Sequence, residues 1–174
     1  MSDLSNLSDL SDPSDLSDKL NEKFMQLAIA AARKNLRDLS GGPFGACIVR
    51  EGQVVAVARN LVLKKDATCH AEINAIRAAS RKLRTFDLSE CRIYSTTEPC
   101  PMCFAAIHWA RLGLLVYGTS IDDAKRLGFN ELAVSNATLL ALSSAKLRIF
   151  AGYMLDDCRA LLRDWDKLKY KPVY

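Results

Sequence analysis

The chain has no apolar run of membrane-spanning length, and its first residues carry no charged-then-apolar leader. The first absence argues against a spanning helix, which needs about 20 apolar residues. The second argues against export through a signal segment. Six cysteines are present without the spacing of a small disulfide framework, so a reducing, cytoplasmic setting is expected. There is one CxxC hook rather than two, which counts against a closed structural zinc knuckle. Apolar material is not scarce: 174 residues at 49% hydrophobic are enough for one domain with a real core.

Residues 1–18 stand apart. Serine recurs at every third position from Ser2 to Ser17, interleaved with aspartate and leucine. A period of three fits neither a helix face nor a strand, so the tract is expected to be a disordered low-complexity tail, with residues 19–174 forming the domain. A docking arm through Leu4, Leu7, Leu10 and Leu16 is the alternative. The tract holds five aspartates and no lysine or arginine, which leaves the remainder with 24 basic and 15 acidic residues, a net of +9. That excess keeps an anionic partner open, nucleic acid included.

Beyond the tail, helical and strand patterns alternate. Lys19 to about Asp38 reads as an amphipathic helix with Phe24, Leu27, Ala28, Ala31 and Ala32 on its apolar side, broken at Gly41-Gly42-Pro43. Gly45–Val49 and Val54–Ala58 read as a hairpin. Strands are expected at Cys91–Thr96, Leu114–Tyr117 and Leu147–Phe150. Helices are expected from His70 and from Cys100, and at Asp122–Leu127, Ala137–Ala145 and Leu155–Leu168. This order predicts an α/β fold, a three-layer α/β/α sandwich on a mixed five-stranded sheet.

Two short segments carry the chemistry: His70-Ala71-Glu72, and Pro99-Cys100-Pro101-Met102-Cys103 28 residues further on. One imidazole and two thiols are the ligands a catalytic zinc uses when a fourth position stays open for water. Soft and borderline donors suit Zn²⁺ better than Mg²⁺ or Ca²⁺. If both helices begin at their ligands, two N-termini point free N–H groups at the metal and favour thiolate. The i, i+3 spacing puts both sulfurs on one helix face. Glu72 diverges from His70 and is placed to move a proton rather than to bind. A closed knuckle with Cys69, Cys91 or His108 as fourth ligand leaves Glu72 without a role. A bare Cys100/Cys103 redox pair leaves both His70 and Glu72 unexplained. Cys47 and Cys158 read as buried small hydrophobes.

The spacing H-x-E…P-C-x-x-C is that of the zinc deaminases of bases. From about residue 19 onward the chain resembles the cytidine deaminase-like superfamily, and within it the bacterial guanine deaminases. Gly41-Gly42-Pro43-Phe44-Gly45-Ala46, Ile107-His108-Trp109, Asp122-Asp123-Ala124, Leu127-Gly128-Phe129-Asn130-Glu131 and the terminal Tyr174 carry the finer likeness. The resemblance implies one Zn²⁺ per chain on His70, Cys100 and Cys103, with Glu72 as the proton carrier. It implies Asn60 as a hydrogen-bond partner of the base, Phe44 and Trp109 against its ring, and Ala71 among the substrate contacts. Asp123 or Glu131 would read the guanine amino edge or shuttle protons, and Tyr174 would close a site, its own or a partner subunit's. Bland readings stand beside these: Phe44 and Trp109 as core, Asn60 as a turn residue, Asp123 as a helix cap, Glu131 as a surface charge.

The implied activity is hydrolytic deamination of guanine or a close aminopurine or aminotriazine. A tRNA adenosine deaminase comes second, a cytosine or cytidine deaminase third, and a zinc-stabilised binding module is the non-enzymatic alternative. A homodimer is expected through Phe104-Ala105-Ala106-Ile107.

Overall fold

The computed structural model describes residues 20–174. The low-complexity tract of residues 1–18 lies outside them. Helix α1 (Glu22–Arg33) starts where the Asn21 side chain accepts from the Lys23 N–H. It turns at Lys34 into a short helix α2 (Asn35–Asp38), so the expected long first helix is two pieces. Strands β1 (Gly45–Arg50) and β2 (Gln53–Arg59) form the expected hairpin. Its two-residue turn has Glu51 at φ 49° and Gly52 at φ 73°, the double left-handed geometry that matches strand twist. A single 3₁₀ turn (Val62–Lys64) leads to helix α3 (Ala71–Leu83). Then come β3 (Cys91–Thr97), α4 (Pro101–Trp109), β4 (Leu114–Thr119) and α5 (Ile121–Arg126). The chain closes with α6 (Asn136–Ala141), β5 (Arg148–Phe150) and α7 (Leu155–Asp166).

The sheet order is β2-β1-β3-β4-β5. Both neighbours of β1 run antiparallel to it, while β3, β4 and β5 run parallel. This is the mixed five-stranded sheet expected. Alternation along the strands divides the core in two. Ala46, Ile48, Ile93 and Leu115 pack against Ala71, Ala75 and Ala79 of α3 and Phe104 and Ile107 of α4. Cys47, Val49, Tyr94 and Val116 pack against Phe24, Met25 and Ala28 of α1 and Cys158 of α7. Helices thus cover both faces, giving three layers. Among the described residues no helix is long and apolar enough to cross a membrane.

The register sets where chemistry can occur. Gly45 pairs with Arg59, and Ala46 with Ser95, so β1 starts where β2 and β3 end. The segments entering and leaving these strand ends meet at one sheet edge, and both metal-motif helices begin there.

Candidate metal centre and active site

His70 and Cys100 are each the residue immediately before a helix, with extended ψ of 160° and 166°. Their side chains therefore project from two helix N-termini, and Pro101 occupies a first-turn position where its missing N–H costs nothing. Asn74 locks the approach to His70 by donating to the carbonyls of Arg59 and Cys69, both at 3.0 Å. The ligand atoms of His70, Cys100 and Cys103 lie within 4.8 Å of one another. A tetrahedral zinc ion, bonded at about 2.3 Å to sulfur and 2.0–2.1 Å to nitrogen, sets those two atoms about 3.6 Å apart. The separation of Cys100 Sγ and His70 Nδ1 is 3.6 Å. The donor set and its spacing fit Zn²⁺, with Nδ1 as the imidazole donor.

Electrostatics point the same way. The Cys103 thiol, hydrogen-bonded to Cys100, and next His70 bring the Cys100 thiol down to about 4 despite its burial. Cys103 moves up, because it is the donor in that pair and is buried. Burial alone would lower His70; the Cys100 sulfur and the charges of Glu72, Cys100 and Glu131 outweigh it, and its pKa is raised. The protons held by this cluster are the ones a dication would displace.

None of the alternative fourth ligands is at hand. The Cys69 thiol donates to Asp66 Oδ2 at 3.3 Å and receives Arg77 at 3.6 Å. Cys91 opens β3 at the opposite end of the sheet from the site, and His108 is exposed near the end of α4. All six cysteines are unpaired.

Glu72 is 5% exposed. Its Oε1 lies 2.6 Å from Ser95 Oγ, and its Oε2 lies 3.4 Å from Cys103 Sγ. Burial raises its pKa, partly offset by His70. A cavity of about 280 Å³ opens over these groups, at the small end of ligand pockets. Phe44, Asn60, Glu131 and Tyr174 line it, together with Glu98, Met102 and Phe129. Burial is also the main reason that Glu131 is raised.

The wall around Asn60 is tightly specified. Its Oδ1 accepts from the Val62 N–H at 3.0 Å and the Tyr174 hydroxyl at 2.8 Å. The Tyr174 hydroxyl in turn accepts from the Gly42 N–H at 2.8 Å. With the amide oxygen occupied, the Asn60 NH₂ is the group left to serve the cavity as a donor. Buried Asn35 braces the wall from behind, donating to the carbonyls of Gly42 (2.7 Å) and Asn60 (2.9 Å). A Cβ on Gly41 would sit 2.2 Å from Asn60 Oδ1, and one on Gly42 would sit 2.5 Å from the Phe44 ring. The Gly41-Gly42 pair thus lets two walls approach. Phe44 stands edge-on to Phe129 at 4.9 Å.

The structure does not bring Asp123, Trp109 or Ala71 to the cavity. Asp123 forms a capping box with Ser120 at the start of α5: its N–H donates to Ser120 Oγ (3.2 Å) and its Oδ2 accepts from the Ser120 N–H (3.1 Å). Arg126 takes its other oxygen at 3.1 Å. Asp123 is thus the N3 partner of the Ser120 cap. Trp109 is 76% exposed at the end of α4, neither core nor cavity wall. The Ala71 side chain is packed in the core. Tyr174 lines the cavity of its own chain. The proposed apolar dimer face is also corrected: Phe104 and Ile107 point into the core at 5% and 0% exposure, leaving Ala105 outside.

Sequence reasoning missed Ser95 and Glu98. Ser95 follows Ile93 on the inward face of β3, and a polar residue at that period is a signal. Glu98 is 8% exposed and accepts from the N–H groups of Ile121 (3.2 Å) and Asn136 (2.7 Å). Its two oxygens thus tie the starts of α5 and α6 to the segment carrying Cys100.

Comparison with known proteins accords with this geometry. Residues 18–119 match the model of the cytidine and deoxycytidylate deaminase zinc-binding region. The chain is 40% identical over 112 residues to a guanine deaminase of Bacillus subtilis, covering 64% of this chain and 72% of that one. It is 38% identical over 148 residues to a tRNA-specific adenosine deaminase of Aquifex aeolicus, covering 84% and 93%. Among solved structures, a guanine deaminase from Nitrosomonas europaea superposes with a TM-score of 0.77 at 30% identity, covering 86% of each chain.

Proposed function

The chain belongs to the cytidine and deoxycytidylate deaminase zinc-binding family, and on that premise we propose that it deaminates a free aminopurine, guanine first. The observation that carries this reading is the cavity wall. Asn60 offers a donor and Glu131 an acceptor on the wall of a cavity of about 280 Å³, where Tyr174 holds Asn60 in place. Guanine presents a carbonyl acceptor beside N–H donors, the complement of that pair.

Zinc held by His70, Cys100 and Cys103 would supply Lewis acidity that makes a water molecule acidic near neutral pH. The remaining work falls to side chains. Glu72 holds a proton at the ligand side of the cavity and passes it between water, ring and leaving amine. Water adds its oxygen to the amidine carbon, one of its protons goes to the ring nitrogen, the exocyclic C–N bond breaks, and the other proton leaves on the amine as ammonia. Glu131 is the second cavity carboxyl free for such traffic, because both Glu98 oxygens are taken by helix N–H groups. Asn60 and Phe44 orient the ring.

A panel of guanine, adenine, cytosine, cytidine and tRNA, read by ammonia release, tests the reading. Guanine should be the best small substrate. Inosine formation in tRNA with no ammonia from guanine would replace it with the second reading, a tRNA adenosine deaminase, which the Aquifex relative and the +9 body favour. Such binding would weaken steeply with salt.

A homodimer belongs to the same reading, now resting on Trp109, an aromatic 76% exposed beside exposed Ala105 on α4. Sedimentation at micromolar concentration should show twice the chain mass, and a fully active monomer would remove it. Six unpaired cysteines suit a reducing cytoplasm.

A further inference from the structure

Strand β3 is the middle strand, hydrogen-bonded to β1 on one side and β4 on the other. Its face toward α3 and α4 carries Ile93, Ser95 and Thr97 in turn. Ile93 is wholly buried in the core, and Ser95 is 1% exposed. A hydroxyl in such a place needs partners, and Ser95 Oγ lies 2.6 Å from Glu72 Oε1 and 2.7 Å from the Thr97 carbonyl; its one proton goes either to the carboxylate, or to the carbonyl while a protonated Oε1 donates to Oγ.

The two Glu72 oxygens therefore stand in different surroundings. Oε1 is tied to the sheet, while Oε2 faces Cys103 Sγ at 3.4 Å. A glutamate side chain has three rotatable bonds, and α3 fixes only its root. The other anchor belongs to the middle strand of the sheet, paired on both sides. We infer that Ser95 is a positioning residue for Glu72, holding Oε1 on β3 so that Oε2 is the oxygen turned toward the metal ligands and the reacting atoms. The inference rests on the deaminase reading for what Glu72 does, and on the sheet alone for where Glu72 is held.

Three substitutions separate the hydroxyl from its volume. Ser95→Ala removes only the oxygen. Ser95→Thr keeps it, and Ser95→Val has the shape of threonine without it. Misplacing a reacting group by about 1 Å costs on the order of 100-fold. Ser95→Ala and Ser95→Val should therefore lose about 10- to 100-fold in kcat, with KM within about twofold and one zinc retained per chain. Ser95→Thr should keep most of the wild-type kcat. A second readout is independent of turnover and of metal: the infrared carboxyl band that Glu72→Gln removes, recorded on zinc-free protein. It should shift in Ser95→Ala and Ser95→Val and stay in place in Ser95→Thr.

Unchanged kcat in Ser95→Ala, an equal loss in Ser95→Thr and Ser95→Val, or an unmoved band in Ser95→Ala would each overturn the inference. Should the larger residues fail to pack, Ser95→Ala decides by itself. Should the wild type release no ammonia from any base, the deaminase reading falls and the infrared band alone judges the anchor.

Discussion

Cys47 and Cys158 lie on one face of the sheet, Cys100 and Cys103 on the other, and the same side chain behaves oppositely in the two regions. Against α1 and α7 the sulfurs lie in an apolar cluster, and burial, joined at Cys158 by the charge of Asp157, pushes both thiols up to about 12. Against α3 and α4, Cys100 is brought down to about 4 by Cys103 and His70 although it too is largely withdrawn from water. Depth does not make a cysteine reactive; a donor beside it does. The carboxylates repeat the contrast within the site. Glu98 spends both oxygens on backbone N–H groups, whereas Glu72 is anchored by one and leaves the other facing the ligand atoms.

Removing one cysteine from each face should give the largest divergence. Cys103→Ala should bind no zinc tightly and fall to background turnover, as metal analysis and ammonia release would show. Cys158→Ala should keep zinc and activity and lose about 1 kcal/mol of stability, the scale of a small core deletion, read by urea unfolding. Loss of zinc from Cys158→Ala would break the distinction between the faces.

The carboxylates come next. Glu72→Gln should keep zinc and fold while losing about 10²–10⁴-fold in turnover, the range for a lost general acid–base. Glu98→Gln should instead lower thermal stability, because an amide can accept from one helix start but not both on equal terms, leaving a buried N–H short of a partner at about 1–3 kcal/mol. A Glu98→Gln protein of full stability and no activity would move Glu98 into the chemistry.

Tyr174→Phe sharpens the picture of the cavity wall. It removes the bridge between Gly42 and Asn60 and should raise KM for guanine by about tenfold, since one net hydrogen bond is worth about 1 kcal/mol and the freed Asn60 loses its fixed orientation. The smallest effect is expected at Asp123→Asn. Asp123 is the N3 partner of the Ser120 cap and lies off the cavity, and an asparagine oxygen can still accept from the Ser120 N–H, so guanine turnover should stay within about twofold of wild type.

That last expectation reverses the reading from sequence, and the reversal is instructive. His70, Glu72, Cys100 and Cys103 were legible because two short segments carry the whole donor set, and the helices begin where their ligands require. The sheet was legible from its alternation. Asp123 was misassigned although Ser120-x-x-Asp123 spells a capping pattern. Trp109 lies off the Phe104–Ile107 face and so reaches neither core nor cavity. Ser95 and Glu98 acquire partners only through strand register and loop return. Tyr174 meets Asn60 across 114 residues of chain. No local pattern reports contacts of that kind.

The central claim is that three ligands hold one catalytic metal over a base-sized cavity. It is tested most directly by titrating zinc into metal-free protein while following ammonia release from guanine. Turnover should rise in proportion to bound zinc and level off at one ion per chain. Stoichiometric zinc binding with no ammonia from guanine, adenine, cytosine or tRNA would contradict the account and leave a zinc-stabilised binding module in its place.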